Sequence, residues 1–287
     1  MSHHLQEQLP SLSANSSGQS LADESQLNNH YRLAKAEYDA CIAVVGIQQS
    51  WRVLDAGCGN GVFLPHLLQL VGETGSVVAL DHAPENLELA QRRIRELGRP
   101  SQIDTQLSSV TELPFENGSF DCVWCANVSQ YLTDAELDKA IVEFVRVVKP
   151  GGLVALKEAD IALWQFRPVD PRLIWRLYDA GAMAGDTQLI GALRGWGISQ
   201  WIRQHGMEVI KQQTTLIERS APFEPFAIAY LGGLLQWLAS RADLLPLTHA
   251  DKAEWGKIGG SIEAIFHDPN ACYQEAFTLT VGRRKKV

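Results

Sequence analysis

The sequence predicts an α/β fold in which a doubly wound, mostly parallel seven-stranded sheet is joined by helical C-terminal additions that form a lid. Three observations predict it. Short apolar strand patterns alternate with helical patterns over residues 51–157, an order that demands crossover connections and a sheet covered on both faces. The first strand runs directly into the glycine-rich turn Ala56-Gly57-Cys58-Gly59-Asn60-Gly61 before a helix. Two further strand candidates, residues 207–217 and 276–282, follow a mostly helical stretch and bring the total to seven.

In chain order, residues 1–24 are rich in Ser, Gln and Asn and lack the basic start and apolar run of a secretory signal, so they read as a disordered segment. Leu27, Tyr31, Ala34, Tyr38, Cys41, Ile42 and Val45 recur at helical spacing, which predicts one helix over residues 25–45 packed on the next unit. Strands follow at 51–55, 76–81, 103–107, 120–126 and 152–157, with helices at 62–71, 84–97 and 134–148 between them. Pro84 suits a first helical position, and Lys149-Pro150-Gly151-Gly152 reads as the turn before the fifth strand. Beyond residue 160 the helical patterns are 189–205, closed by His205-Gly206, then 223–240 and 249–266. The chain thus divides into a disordered lead (1–24), a helix plus ligand-binding core (25–160), and helical pocket additions carrying the last strands (161–287).

Composition narrows the function. The 287 residues are 46% hydrophobic and 20% charged, ordinary for a folded chain. The formal charge of -8 disfavours a polyanionic partner, so a nucleic-acid substrate is not expected, and the basic run Arg283-Arg284-Lys285-Lys286 reads as a solvated tail. Five cysteines, odd in number and widely spread, suit reduced thiols in the cytoplasm, and Cys122 and Cys125 fall in an apolar strand where they face opposite sides rather than pairing on a metal. No window is long and apolar enough for a membrane span.

The chemistry concentrates at Asp55-Ala56-Gly57-Cys58-Gly59-Asn60-Gly61, where bare backbone at the glycines lets a ligand approach closely. Asp81 follows Gly61 by 20 residues at the end of the second strand, where an acid can accept hydrogen bonds from ribose hydroxyls or favour the helix start near Pro84. A dinucleotide fingerprint would place a third glycine where Val62 stands, and no phosphate-cradling GxxxxGK[ST] occurs, so a nucleoside without a phosphate chain fits better.

Val53 to Gly61, Ala79-Leu80-Asp81, Leu113-Pro114-Phe115, Ser119 to Trp124 and Val148 to Gly152 occur in the order that resembles class I S-adenosylmethionine-dependent methyltransferases, close to those acting on quinones and natural products. The resemblance covers about residues 30–160 and implies S-adenosyl-L-methionine as cofactor, with S-adenosyl-L-homocysteine as product. It implies cofactor contacts from Asp55, Ala56, Gly57, Gly59 and Gly61 at the methionine end, Asp81 at the ribose, His82 and the Ser109-Val110 pair at the adenosine, and Asn127 at the amino-acid part. Ser109 stands where the family often has an acid, which leaves the Val110 backbone for that contact.

A sulfonium methyl is already electrophilic, so alignment of an acceptor is the main duty and a general base is optional. Candidates for that base are Tyr31, His30 and Glu158, with Asp160 nearby. Glu158 ends the fifth strand and is expected to face the ligand side. Trp164, Trp175, Trp196, Trp201, Trp237 and Trp255 give the C-terminal part the aromatic weight of a pocket for a flat or greasy acceptor, or of core packing. The expected activity is methyl transfer to O, N or C of a small molecule, with no metal. RNA methylation and non-catalytic cofactor binding are the alternatives, and a nicotinamide dehydrogenase is disfavoured by Val62.

Overall fold

A computed structural model describes residues 24–286. The Ser/Gln/Asn-rich lead up to residue 23 lies outside the described residues, while Glu24 opens the first helix. The chain runs α1 (Glu24–Leu33), α2 (Lys35–Ala43), β1 (Arg52–Ala56), α3 (Leu64–Val71), β2 (Ser76–Asp81), α4 (Pro84–Glu96), β3 (Ile103–Leu107), β4 (Phe120–Ala126), α5 (Asp134–Val147) and β5 (Val148–Ala159). It continues with β6 (Gln165–Arg167), α6 (Pro171–Met183), α7 (Thr187–Gly191), α8 (Ile198–Gln204), β7 (Glu208–Ser220), α9 (Pro225–Leu244), α10 (His249–Gly260), α11 (Ile262–His267) and β8 (Cys272–Arg283).

The sheet order is β3-β2-β1-β4-β5-β8, with β7 on the far side of β8. Strands β1 to β5 pair in parallel, and β8 runs antiparallel to both β5 and β7. The seven long strands meet the sequence expectation. The three-residue β6 is an eighth, pairing with Cys272 to Gln274 of β8 beyond the end of β5. The winding reverses between β1 and β4, the place where open α/β sheets leave a crevice at their C-terminal edge.

Alternation along each strand feeds two cores. On one face Val53, Val77 and Cys122 pack with Ile42, Leu64, Leu67 and Phe277. On the other Leu54, Val78 and Val123 pack with Ile141 and Phe144 of α5 and Ile202 of α8. Truncating a fully buried ring such as Phe144 to Ala costs about 3–5 kcal/mol on the usual scale for core aromatics. Helix α5 is started by a reciprocal capping box: Glu136 N–H donates to Thr133 Oγ1 at 3.3 Å and Thr133 N–H donates to Glu136 Oε2 at 2.8 Å.

Three boundaries differ from expectation. The helix predicted over 25–45 divides at Ala34, although Ala34 N–H still donates to His30 O and Tyr38 N–H to Ala34 O. Strand β5 begins at Val148, which pairs with Phe120, but the Lys149 to Gly152 stretch read as a turn bulges out of the β4 ladder, and pairing resumes at Leu153 opposite Cys122. The helix predicted over 189–205 is broken into α7, a 3-10 turn at Gly195–Gly197, and α8. The breaks have a packing cause: a Cβ at Gly191 would overlap the Gln130 carbonyl and one at Gly195 the Ala159 carbonyl, so both glycines let backbone dock on backbone.

Candidate active site

At the β1/β4 reversal a cavity of about 420 Å³ opens. One side is the loop after β1, where Gly57, Gly59 and Gly61 all have positive φ (78°, 53° and 76°). Gly57 has no room for a side chain, because a Cβ there would overlap Val128 Cγ2. Gly57, Cys58, Gly59 and Asn60 line the cavity, whereas Asp55, Ala56 and Gly61 stand behind them. Asp55 is buried to 1% exposure, and that burial, reinforced by the Asp81 charge, pushes its carboxyl up to about 8.

Asp81 borders the same cavity. Its Oδ2 accepts from Gly59 N–H at 2.8 Å, and its Oδ1 accepts from Ala83 N–H at 2.9 Å and from Asn86 Nδ2 at 3.2 Å. One carboxylate therefore ties the glycine loop to the start of α4, the helix-start role open to it in the sequence. His82, mostly exposed, sits 3.7 Å from Asp81. Ser109 and Val110 line the adjoining wall, with Ser109 Oγ 2.8 Å from Thr111 Oγ1. Asn86 is a further lining residue that sequence reasoning passed over; its place two residues after Pro84 on the first turn of α4 was the available signal.

Asn127 takes a left-handed conformation (φ 59°) at the end of β4. Its N–H donates to Lys157 O at 2.8 Å, and its Oδ1 accepts from Lys157 Nζ at 2.6 Å. Lys157 is 2% exposed yet faces the cavity, and Nζ also donates to Tyr38 Oη at 2.8 Å and lies 4.7 Å from the Phe277 ring centre. Tyr38 Oη in turn is 3.0 Å from His30 Nε2, and His30 Nε2 is 3.0 Å from Glu275 Oε1. Tyr273 Oη donates to Glu275 Oε2 and accepts from Trp164 Nε1 at 3.0 Å, while the His30 ring stacks on Tyr230 with centroids 4.5 Å apart.

Burial lowers the Lys157 ammonium below the ordinary lysine range against the opposing pull of Glu275, Cys41 and Glu158. Burial pushes Glu275 the other way, but His30, through charge and hydrogen bond, then Tyr273 and Lys157, bring it below the usual carboxylate range. Burial and the Glu275 charge raise the Tyr38 hydroxyl well above its ordinary value.

Of the three expected bases, His30 and Tyr31 line the cavity and Glu158 does not. Tyr31 Oη donates to Asp39 Oδ1 at 2.9 Å, and burial followed by that bond raises its hydroxyl. Glu158 is a correction. Its Oε1 accepts from Val128 N–H at 3.2 Å and Ser129 N–H at 3.1 Å, on the sheet face opposite Lys157, because successive strand residues alternate. Of this strand end, Lys157 and Ala159 line the cavity. Lys157 and Glu275 were not singled out, and Tyr38 only as a packing position of the first helix; the available signal was a lysine following Val154-Ala155-Leu156 in a strand covered on both faces.

The other wall of the cavity is aromatic and apolar: Tyr178 from α6, Leu189 from α7, Leu234 and Trp237 from α9, and Trp164. Trp255 of α10 is buried core outside the cavity lining, while Trp175 and Trp196 are exposed. The C-terminal helices are therefore divided between walling the cavity and packing the core. Arg194 locks the wall to the β4–α5 connection, its Nη1 donating to Ser129 O and Leu132 O at 3.1 and 2.6 Å.

A family model described as a methyltransferase domain matches residues 53–152, which contain the glycine loop, Asp81, Ser109, Val110 and Asn127. The chain carries a class I S-adenosylmethionine-dependent methyltransferase domain. This methyltransferase domain is 35% identical over 113 residues to the ubiquinone/menaquinone biosynthesis C-methyltransferase of Haemophilus ducreyi, covering 39% of this chain and 43% of that one. It is 30% identical over 163 residues to the demethylmenaquinone methyltransferase of Oceanobacillus iheyensis, covering 50% of this chain and 66% of that protein. These matches thus reach about half or two-thirds of each relative's length. The fold superposes on a solved protein of Bacillus halodurans with a TM-score of 0.58 at 17% identity, over 88% of this chain and 98% of the other. It also superposes on phosphoethanolamine N-methyltransferase 2 of Haemonchus contortus, solved with S-adenosyl-L-methionine, with a TM-score of 0.55 at 14% identity over 92% and 58% of the two chains. Among the described residues no helix is long and apolar enough to cross a membrane, and no cluster of side chains suits a metal ion.

Proposed function

We propose that the chain transfers a methyl group from S-adenosyl-L-methionine to a small-molecule acceptor. The observation that carries this reading is that one cavity joins the glycine loop and Asp81 to an aromatic wall built by α6, α7 and α9. The residues present suit the cofactor: left-handed glycines leave bare backbone where a Cβ would overlap Val128, and a buried carboxylate ends β2 beside them. When bound, S-adenosyl-L-methionine supplies an electrophilic methyl on its sulfonium.

The Gly57 to Asn60 backbone would hold the amino-acid end, with Asn127 beside it. Asp81 would accept from the ribose, and His82, Ser109 and Val110 would border the adenosine. Asp55, Ala56 and Gly61 shape this loop from behind. The aromatic wall would orient the acceptor and keep water from the reacting atoms, the contribution alignment makes to displacement reactions. Relatives named for quinone biosynthesis favour a flat acceptor, and the net charge of -8 supports a small molecule over RNA. A reducing, cytoplasmic setting belongs to the same proposal, supported by four buried free cysteines and a fifth partly buried one.

Calorimetric titration of S-adenosyl-L-homocysteine into wild type and Asp81→Ala, with NAD in parallel, tests the reading. Wild type binds saturably, the variant at least about tenfold more weakly (about 1.4 kcal/mol), and NAD does not bind. Folded wild type that ignores S-adenosyl-L-homocysteine would overturn it.

A further inference from the structure

We propose that Lys157 is the catalytic base of this site and that its acceptor is a flat, apolar molecule bearing an acidic hydroxyl. The inference rests on the methyltransferase reading above and adds the acceptor class and the group that receives its proton. Lys157 is the cationic side chain that the sheet delivers to the cavity from the end of β5, beside Asn127 and facing the same space as Trp237 and Leu189. Its three potential donors are not all used internally: Tyr38 Oη and Asn127 Oδ1 take two, leaving one position of the amine for a cavity ligand. A buried lysine of this kind, held by neutral oxygens rather than by a paired carboxylate, gives up its proton readily and can take one back.

The surroundings favour a hydroxyl. The ammonium that forms on proton uptake is stabilised by Tyr38 Oη and Asn127 Oδ1, by the faces of Tyr38 and Phe277 at 4.0 and 4.7 Å, and by the charge of Glu275. An already cationic amine would face this lysine with like charge, whereas an oxyanion is drawn to it. In the step, the acceptor O–H bond breaks and its proton passes to the lone pair of Lys157 Nζ. The acceptor oxygen then forms its bond to the methyl carbon as the carbon–sulfur bond of the donor breaks, and that electron pair stays on a neutral thioether. The groups facing Lys157 are Tyr38 and Cys41 from α2 and Glu275 from β8, while the Glu158 charge acts on it from the other face of the sheet; His30 from α1 and Tyr230 from α9 surround Glu275.

4-Nitrophenol, which ionises near neutral pH and colours as the phenolate, serves as probe. It is titrated into the full chain preloaded with S-adenosyl-L-homocysteine. Wild type lowers the probe's apparent ionisation by at least about one pH unit, a tenfold shift in its equilibrium, and Lys157→Met, held saturated with S-adenosyl-L-homocysteine, abolishes the shift. A shift that survives in the variant, or no shift in wild type, overturns the proposal. A second measurement needs no variant. In calorimetry with buffers of different ionisation heat, at a pH where the probe is anionic and the free protein's Lys157 is neutral, above its lowered value and below the ordinary lysine value of about 10.4, probe binding to wild type takes up about one proton. Binding without proton uptake overturns the proposal. If wild type fails to bind S-adenosyl-L-homocysteine at all, the methyltransferase reading itself has failed; binding without the phenolate shift removes only the role of Lys157.

Discussion

Lys157 and Glu158 are consecutive on β5, and their side chains serve opposite sides of the sheet: one amine reaches the cavity at Tyr38 and Asn127, and one carboxylate accepts the N–H groups of Val128 and Ser129. Glu158 thereby fixes the chain that leaves β4, the same chain whose Val128 methyl closes over Gly57.

Glu158→Ala leaves two buried N–H groups without an acceptor. Its stability falls by about 1–3 kcal/mol, read from urea unfolding, while Glu158→Gln retains an oxygen acceptor and loses less. An alanine variant as stable as wild type would show that this carboxylate does not hold the loop.

Gly57→Ala places a methyl into Val128 Cγ2 on a left-handed backbone (φ 78°). The conformational cost alone is about 1–2 kcal/mol, and the overlap adds to it. S-adenosyl-L-homocysteine affinity falls at least about tenfold. Adding Val128→Ala restores part of the loss, since it removes the overlap and not the backbone cost. Calorimetry on both variants checks this, and a single variant that binds like wild type contradicts it.

Asp55 ties stability to pH. Its carboxyl, pushed up to about 8 by burial and then by Asp81, starts from an ordinary value of 3.8. Between these values the folded chain holds a proton that the unfolded chain has lost, so this group makes stability fall as pH rises through the window. Asp55→Asn removes the titration, and unfolding free energy measured from pH 4 to pH 8 declines less steeply, by up to about one proton's worth of slope. An unchanged slope would mean Asp55 is not the group responsible.

Local chemistry made the N-terminal half of the fold legible. The strand into Gly57, the acid ending β2 and the proline opening α4 each act over a few residues, so pattern and turn chemistry locate them. The breaks at Gly191 and Gly195 depend on the carbonyls of Gln130 and Ala159, which lie far away in sequence, and a helical pattern carries no trace of them. The candidate site divides the same way. Its glycine loop was readable, whereas Tyr38 meets Lys157 across 119 positions and Glu275 is the partner of a histidine on the first helix. The end of β5 was readable as well, but whether Lys157 or Glu158 turns toward the cavity depends on helices packed against both sides of the sheet.

The bond between His30 and Glu275 spans 245 positions. A growing chain on the ribosome can complete β1 to β5 with their glycine loop long before β8 exists, yet the polar cluster around Lys157 is finished only when β8 has emerged. Until then Lys157 has Tyr38 and Asn127 but not Glu275. Assembly of this cluster therefore follows that of the glycine loop, and a ribosome that stops short of β8 releases the loop without Glu275 to close the cavity's polar side.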